Sequence, residues 1–378
     1  MTPESREGGF VLPMTLVVVA IIGLSLWAAM SVLDGMRRDL TTLTEGLRLE
    51  TAAQRAEARV LYAVLAEPPG PLGVRVNGRR ISRAEEFGFS NVGVDDPNES
   101  ENDRPAETWI RFDGQPYRLP PAAPTDMTVV VSIQDDAGMF DLNTVDESAI
   151  SRYVQSLGAP EGDARELAGA LADFIDQDDL RRLNGADTPE YRQAGLPPPP
   201  NKFLSEVAEV WSVIGWKEKL SPATRRRVGQ TATSALMFSL SNINTASRET
   251  LTAWFGLTAE EANEVIEARR VQPLLGVHEI ARVTGVSPPV DELRLYTFPS
   301  RRFRLRVWAE SGVLASKTWE TWLTRAEFAA DRPYYRGRSS LLDSGLSGLA
   351  GSGELAGNQR ENDGKLEDLP QAGRLSAN

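Results

Sequence analysis

The feature that most constrains this chain is an uncharged apolar run near its beginning. Residues 10–31 read FVLPMTLVVVAIIGLSLWAAMS and contain no charged side chain. At ~1.5 Å of rise per helical residue, such a run spans roughly 33 Å, enough to cross the hydrocarbon core of a bilayer. A secretory signal peptide has a shorter apolar region that ends at a small-residue cleavage site. The run therefore predicts a membrane-spanning helix.

The helical pattern continues well beyond the apolar run. No proline occurs between Asp34 and Ala66, and apolar residues recur at the spacing of an amphipathic helix. These residues are Leu40, Leu43, Leu47, Ala53, Val60, Leu61 and Leu65. Pro68, Pro69 and Gly70 then end the pattern. We predict one helix over residues 10–66, of which the first half lies in lipid and the second half packs against protein.

Composition excludes several classes of function. The chain has no cysteine, which rules out disulfides, thiol catalysis and thiolate metal sites. Its one histidine, His278, leaves no multi-histidine metal site, and such a residue is more often packed than catalytic. Lys and Arg number 41 against 53 Asp and Glu, and the resulting net charge of −12 repels nucleic-acid phosphates. We therefore expect neither an enzyme nor a nucleic-acid partner.

Residues before the apolar run resemble a processing signal. Arg6, Glu7, Gly8 and Gly9 precede Phe10, and this polar leader resembles the class III leader of type IV pilins and pseudopilins. The resemblance implies that a membrane peptidase cuts after Gly9 and methylates the new N-terminus at Phe10. Residues 1–9 would then be cytoplasmic, and the chain after the helix would be exported. The fifth mature position, usually glutamate, is Met14 here. An ordinary signal anchor is the alternative interpretation.

Strand patterns occupy two separate segments, residues 67–139 and 294–336. The first contains short candidates at 74–76 and 108–112, then a β-branched run, MTVVVSIQDDAG, at 127–138. In the second, apolar residues at 303, 305 and 307 alternate with arginines, as in a half-exposed strand. A further strand is predicted at 313–324, after a turn at 310–312. Residues 337–378 contain no aromatic residue and are predicted to be a disordered acidic tail.

Between these segments, residues 140–293 have helical patterns. Two places are alike: FDLNT at 140–144 and SNINTAS at 241–247 each put capping residues directly before a helix. The second continues as helix, turn, helix, helix, which resembles the helix-hairpin-helix repeats of DNA-binding competence proteins. Its turn at 255–258 is followed by Glu260, Glu261 and Glu264, which would repel phosphate. We predict a structural module.

Together, the leader, the interrupted sheet and the Asn-x-Asn-Thr-Ala hairpin resemble the protein K family of type II secretion minor pseudopilins. The resemblance covers about residues 6–330 and implies an α+β fold. That fold would combine a long N-terminal transmembrane and amphipathic helix, a pilin-like antiparallel β-sheet and a large all-α insert with helix-hairpin-helix-like (SAM-like) modules. A third segment, LADFIDQDDLRRLNGADTPEYR at 171–192, supports it but differs from the family at Phe174, Asp187 and Thr188.

The acid loop within residues 171–192 binds calcium in that family. The resemblance implies that Asp173, Asp176, Asp178 and Asp187 are the ligands, and calcium takes six to eight oxygen ligands at about 2.3–2.6 Å. Asp173 lies one helical turn before Asp176, so both carboxylates share a face. The alternative is a solvated acidic loop in which Arg181 and Arg182 are the counter-ions.

By this resemblance, the chain is a minor pseudopilin that caps and helps to initiate the pseudopilus tip for export of folded proteins. Its partners would be other minor pseudopilins, the prepilin peptidase, inner-membrane lipid and the secretion machinery. It would cross the bacterial inner membrane once, with the globular part periplasmic. The rival function is a minor pilin for DNA uptake or adhesion. A basic stripe along residues 225–227, 269–270 and 282 would favour the rival.

Overall fold

The computed structural model describes residues 11–66, 69–71, 73–77, 108–119, 127–144, 146–235, 241–288, 295–310, 317–326 and 333–343. The predicted leader and its processing site, Gly9 and Phe10, lie outside these residues. The helices are α1 (Val11–Ala66), α2 (Glu147–Ser156), α3 (Glu161–Ile175), α4 (Thr188–Gln193), α5 (Trp216–Lys219), α6 (Pro222–Thr231), α7 (Arg248–Phe255), α8 (Ala259–Val271) and α9 (Val277–Thr284).

Short and long strands separate these helices. They are β1 (Val74–Asn77), β2 (Thr108–Ile110), β3 (Asp113–Leu119), β4 (Val129–Asp135), β5 (Phe140–Asp141), β6 (Ala232–Thr233), β7 (Ser241–Asn242), β8 (Leu295–Tyr296), β9 (Arg302–Ala309), β10 (Lys317–Arg325) and β11 (Tyr334–Asp343). Mixed helices and antiparallel strands confirm the predicted α+β class.

Helix α1 has the two halves that the sequence predicts. Its N-terminal half is apolar yet exposed: Trp27, for example, is 71% exposed. In its C-terminal half, Leu49, Ala53 and Val60 are fully buried against the sheet. Within the described part of the chain, α1 is the one helix long and apolar enough to cross a membrane. The apolar residues of α1 thus change from exposed to buried along the helix.

The main sheet is antiparallel, with strand order β11-β10-β9-β4-β3. Strands β4 and β9, which flank the insert in sequence, are paired neighbours at its centre, with Val131 opposite Val307 and Ile133 opposite Leu305. These four side chains pack on α1 in one core. Because side chains alternate along a strand, the residues between them point to the other face. That second face, with Ser132, Arg304 and Arg306, is polar and meets the insert.

The sheet corrects several predicted boundaries. Of the segment predicted as a strand at 108–112, residues 108–110 form β2, and the strand that follows it, β3, was missed because its glycine and proline resemble a loop. Residues 317–324 of the strand predicted at 313–324 lie in β10, which continues to Arg325, and residues 311–316, with most of the predicted turn, lie outside the described part. The predicted tail also begins too early, because β11 extends to Asp343 by pairing with β10. Residues 344–378 of the predicted tail lie outside the described residues.

The insert consists of two helical modules with separate cores. The first core surrounds Phe140, Tyr153 and Trp216, and the second surrounds Ile243, Phe255 and Ile280. Each module opens on a short parallel strand pair: β5 pairs with β6, and β7 pairs with β8. The two similar sequence segments, FDLNT and SNINT, supply the first strand of each pair. The similarity of the two segments in sequence therefore reflects a repeated structural unit.

Candidate functional site

Asn143 and Asn244 hold the two modules closed in the same way. The Asn143 amide donates to the carbonyls of Leu204 (3.0 Å) and Ser234 (3.2 Å), while its oxygen accepts from Leu204 N–H (2.7 Å). The Asn244 amide donates to the carbonyls of Leu274 and Thr297, both at 2.9 Å, and accepts from Leu274 N–H at 2.8 Å. Each asparagine thus satisfies buried backbone groups of two distant segments.

The side chain two positions before each asparagine accepts a hydrogen bond from the asparagine backbone. The backbone N–H of Asn143 donates to Asp141 Oδ1, and that of Asn244 donates to Asn242 Oδ1, both at 3.0 Å. These are Asx turns, in which a short polar side chain bonds the backbone two residues on. Capping residues were predicted at both positions and the Asx turns were not, although the shared Asn-Thr dipeptide was their signal.

A buried carboxylate, Asp135, joins the sheet to the second module. Asp135 lies at the end of β4 and is fully buried. Its Oδ2 accepts from Asn242 Nδ2 (3.0 Å) and Thr245 Oγ1 (2.8 Å), and its Oδ1 accepts from Ser300 N–H (2.9 Å). Burial raises the pKa of this carboxyl to about 6, although those hydrogen bonds act in the opposite direction. Its burial could not be predicted from the sequence, because an Asp after a strand is common in turns.

Close backbone approach tightens the same junction. Gly138 follows Asp135 in a 3-10 turn, and a Cβ added to it would lie 2.3 Å from the carbonyl oxygen of Thr245. Its own carbonyl accepts from Ser247 N–H at 3.0 Å. Glycine is therefore required here by contact with another backbone segment.

In the acid loop, the four predicted calcium ligands make two different kinds of contact. Asp173, only 2% exposed, bonds Arg182 Nη1 at 2.9 Å, and Asp176 bonds the same guanidinium. Arg182 Nε also reaches Glu147 at 2.8 Å. Burial lowers the pKa of Arg182, but its bonds to Asp176 and Asp173 outweigh this and raise it well above the ordinary value. The counter-ion that the sequence offered as an alternative is therefore in place beside two of the four aspartates.

Asp187 and Asp178 accept hydrogen bonds from the backbone instead. Asp187 caps α4 in a reciprocal capping box, its N–H donating to Glu190 Oε2 at 3.0 Å. Asp178 accepts from Leu180 N–H at 2.9 Å. Within the described residues, no group of three or more His, Asp or Glu side chains is arranged to hold a metal ion. The four aspartates thus do not form one ligand shell in this arrangement.

One feature of the loop does suit a hard cation. Asn201 has a left-handed backbone, with φ of 50°, and its amide donates to Asp178 O (3.2 Å) and Asp179 Oδ1 (2.8 Å). Its own Oδ1 is buried with no hydrogen-bond donor in the described chain. Gly185 leaves Asp173 room, because a Cβ there would lie 1.9 Å from Asp173 Oδ2. Calcium binds oxygen ligands, and an oxygen that accepts no hydrogen bond suits that role.

The basic stripe that would favour DNA binding does not form one exposed surface. Arg269 is only 3% exposed, Arg227 bonds Glu249 at 2.7 Å, and Arg270 pairs with Glu267. The hairpin turn between α7 and α8 leads into a helix whose first turn carries Glu260 and Glu261. His278 lies on α9, close to the start of that helix.

Part of the chain matches a known protein family. Residues 132–229 match the family model described as type II secretion system (T2SS), protein K. That segment starts in β4 and covers most of the first helical module, including the acid loop. No curated relative matches the chain.

Among solved structures, the chain is similar to one in the crystal structure of the GspK-GspI-GspJ complex from the enterotoxigenic Escherichia coli type 2 secretion system. The identity is 16%, and the match covers 79% of this chain and 98% of that chain, with a TM-score of 0.45.

Proposed function

We infer that the chain is a minor pseudopilin of the type II protein secretion system, of the protein K kind. The match of residues 132–229 to the protein K family model carries this inference. The matched segment contains Asn143, the acid loop and the buried Tyr191. A long apolar helix packed on an antiparallel sheet gives the chain the anchor and the platform that a pseudopilin needs.

We propose that α1 anchors the chain in the bacterial inner membrane and that the globular part lies in the periplasm. The exposed apolar half of α1, about 22 residues with the preceding Phe10, is long enough to span the bilayer. Sheet and insert attach to the other end of α1, so they lie together on one side. Mass spectrometry of the mature N-terminus tests this. A methylated Phe10 that disappears without the prepilin peptidase supports the proposal, and an unprocessed Met1 in both strains contradicts it.

We propose further that the subunit occupies the tip of the pseudopilus. Met14 provides no carboxylate for the N-terminal amine of a neighbouring subunit, and it is 59% exposed on α1. The insert of residues 140–293 also adds bulk that a position within the filament wall would not accommodate. Other minor pseudopilins would contact α1 from below, and the secretion machinery would assemble on this complex.

Site-specific crosslinking tests the tip position. A photocrosslinker at Met14, at 59% exposure, should capture minor pseudopilins and not the major one. A matched crosslinker at Trp27, which is 71% exposed and lies about 3.6 turns further along the same helix, reports whether capture depends on position. Equal capture of the major pseudopilin at both positions would contradict a tip location.

No catalytic role is assigned to the chain. A structural subunit accounts for the buried polar residues, since Asp135 and both asparagines are used in joining segments. The rival function, DNA uptake, would need exposed phosphate contacts. Saturable, salt-dependent DNA binding by the purified chain would favour the rival.

We propose that calcium binds the acid loop through Asp173, Asp176, Asp178 and Asp187, in competition with Arg182. The donor-free Asn201 Oδ1 and the surrounding carboxylates support it. When bound, calcium would supply the positive charge that Arg182 otherwise provides to Asp173 and Asp176. Calorimetric titration with CaCl₂ tests the proposal, with Asp178→Asn as the weakened variant and Asp163→Asn on the exposed side of α3 as its control. Equal heats for all three proteins would contradict it.

A further inference from the structure

A cavity lies between the polar face of the sheet and the helical insert. Its volume is about 200 Å³, and both units contribute to its walls, β4 and β9 from one side and α6, α7 and α8 from the other. Pockets for drug-sized ligands enclose about 300–1,000 Å³. This cavity is smaller, so it suits a small molecule or ion and excludes a polymer.

Arginine dominates the charged lining of the cavity. The arginines are Arg227, Arg248, Arg269, Arg270, Arg304 and Arg306, and two acids, Asp113 and Glu267, also line it. Arg270 pairs with Glu267 of the lining, and Arg227 and Arg306 pair with carboxylates beyond it, Glu249 and Glu320. Such a cluster is unexpected in a chain whose net charge is −12.

The two deepest arginines are held by neutral groups. Arg269 and Arg304 are each 3% exposed. Arg269 Nη1 donates to the carbonyls of Ile243 and Ala246, both at 2.8 Å, and Arg304 Nη1 donates to that of Gly229 at 2.9 Å. Carbonyl groups fix a guanidinium but do not neutralise it.

Nearby carboxylates neutralise the charges of Arg269 and Arg304 only weakly. Glu320 is 3.9 Å from Arg304 but bonds Arg306 at 2.7 Å. Burial lowers the pKa of Arg269 to about 10 and that of Arg304 to about 9, because loss of water disfavours the charged guanidinium. A buried positive charge without a close anion is unfavourable in water-poor surroundings.

Buried donors with no acceptor lie in the same lining. Arg269 Nε, Arg304 Nε and Trp308 Nε1 are all buried and have no hydrogen-bond acceptor among the residues that the structure describes. Since buried polar groups are nearly always hydrogen-bonded, three such donors around one cavity indicate an acceptor from outside the chain. A ligand rich in negatively charged oxygen atoms would satisfy both the donors and the charge.

We propose that this cavity binds a small multivalent oxyanion, a phosphate or a small di- or tricarboxylate, and that the anion fastens the helical insert to the sheet. Arg304 from the sheet and Arg269 from the insert would hold it from opposite walls, and Arg248 would contact it from α7. Guanidinium groups bind phosphate and carboxylate with the same geometry. The cavity would therefore select its ligand by charge and size.

Calorimetry on the detergent-solubilised full chain tests the proposal. Sodium phosphate and sodium citrate are titrated separately, in chloride buffer of matched ionic strength. One saturable equivalent is expected with at least one of the two anions. Binding of phosphate alone assigns the site to phosphate, and binding of citrate alone assigns it to carboxylates. The absence of saturable heat with both anions would overturn the proposal.

Variants show whether any binding occurs in the cavity. Arg304→Gln should abolish it, and its circular dichroism must match that of the wild type. Arg248→Gln is safer, because its side chain is 40% exposed and lies 3.6 Å from Glu249; we expect affinity to fall at least about fivefold. Arg165→Gln, an exposed ion-pair residue on α3, should bind as the wild type does. Equal affinity in Arg248→Gln and Arg165→Gln would overturn the proposed site.

Discussion

Asn143 and Asn244 occupy equivalent positions in two modules and make the same three hydrogen bonds. Each donates to two carbonyls of separate segments and accepts from the N–H of a buried leucine, Leu204 or Leu274. A duplicated bond pattern of this kind shows that both modules close by one mechanism. The insert is therefore a pair of related units, and the family model covers most of the first.

Replacing either asparagine with alanine should destabilise its module to a similar extent. Asn143→Ala and Asn244→Ala each leave buried backbone groups unpaired, so we expect a loss of about 2–4 kcal/mol in unfolding free energy. Urea unfolding of the full chain in detergent measures it. Asn184→Ala is the matched control, because Asn184 is exposed and its removal should change stability by less than about 0.5 kcal/mol. A large loss in only one of the two would contradict the equivalence.

Asp135 should make the junction sensitive to pH. Its folded pKa of about 6 lies above the unfolded value of ~3.9, so the folded state favours the protonated form. The corresponding stability is complete below about pH 4 and is lost as pH rises through 6, a change of roughly 3 kcal/mol. We expect the stability difference between wild type and Asp135→Asn to vary between pH 4.5 and 7.5 in unfolding titrations. A constant difference would show that Asp135 does not titrate in this range.

Gly138→Ala should separate the second module from the sheet. The added methyl would lie 2.3 Å from the Thr245 carbonyl oxygen, and both partners are backbone, so the segments must move apart. We expect a loss of several kcal/mol and faster amide hydrogen exchange across 241–247. Gly162→Ala is the matched control, because nothing lies within 4 Å of a Cβ there and the site is helical, so it should be neutral or slightly stabilising. Unchanged exchange in Gly138→Ala would contradict the contact.

Arg182→Gln should make the acid loop depend on an added cation. Without the guanidinium, Asp173 loses a bond at 2.9 Å while only 2% exposed, so we expect about 2–4 kcal/mol of destabilisation in EDTA. Melting temperatures with and without CaCl₂ measure recovery. The exposed pair residue Arg165 gives the control, since Arg165→Gln should change little. If CaCl₂ fails to stabilise Arg182→Gln, the loop does not exchange arginine for calcium.

Local patterns in the sequence were sufficient for much of the fold. The helix of α1, the alternation in β9 and the cap before α7, Ser247, depend on neighbouring residues, so periodicity and capping chemistry predicted them. The cap of α2 is Asp146, which lies after the predicted capping segment 140–144. Strand β3, which was missed, and strand β11, most of which was assigned to the tail, show the limit. Both form by pairing with a partner strand, and their own residues, glycine, proline and serine, resemble loops.

The same distinction between local and long-range contacts applies to the candidate sites. The sequence by itself determined a long apolar helix, a sheet in two segments, two asparagine-containing repeats and an acid-rich loop, because each depends on residues that are adjacent in the chain. Only the tertiary structure decided that Arg182 faces Asp173 and Asp176, that Asp135 is buried, and that arginines from sheet and insert surround one cavity. Charge pairing, burial and desolvation depend on which distant residues meet, and the spacing along a chain does not contain that information.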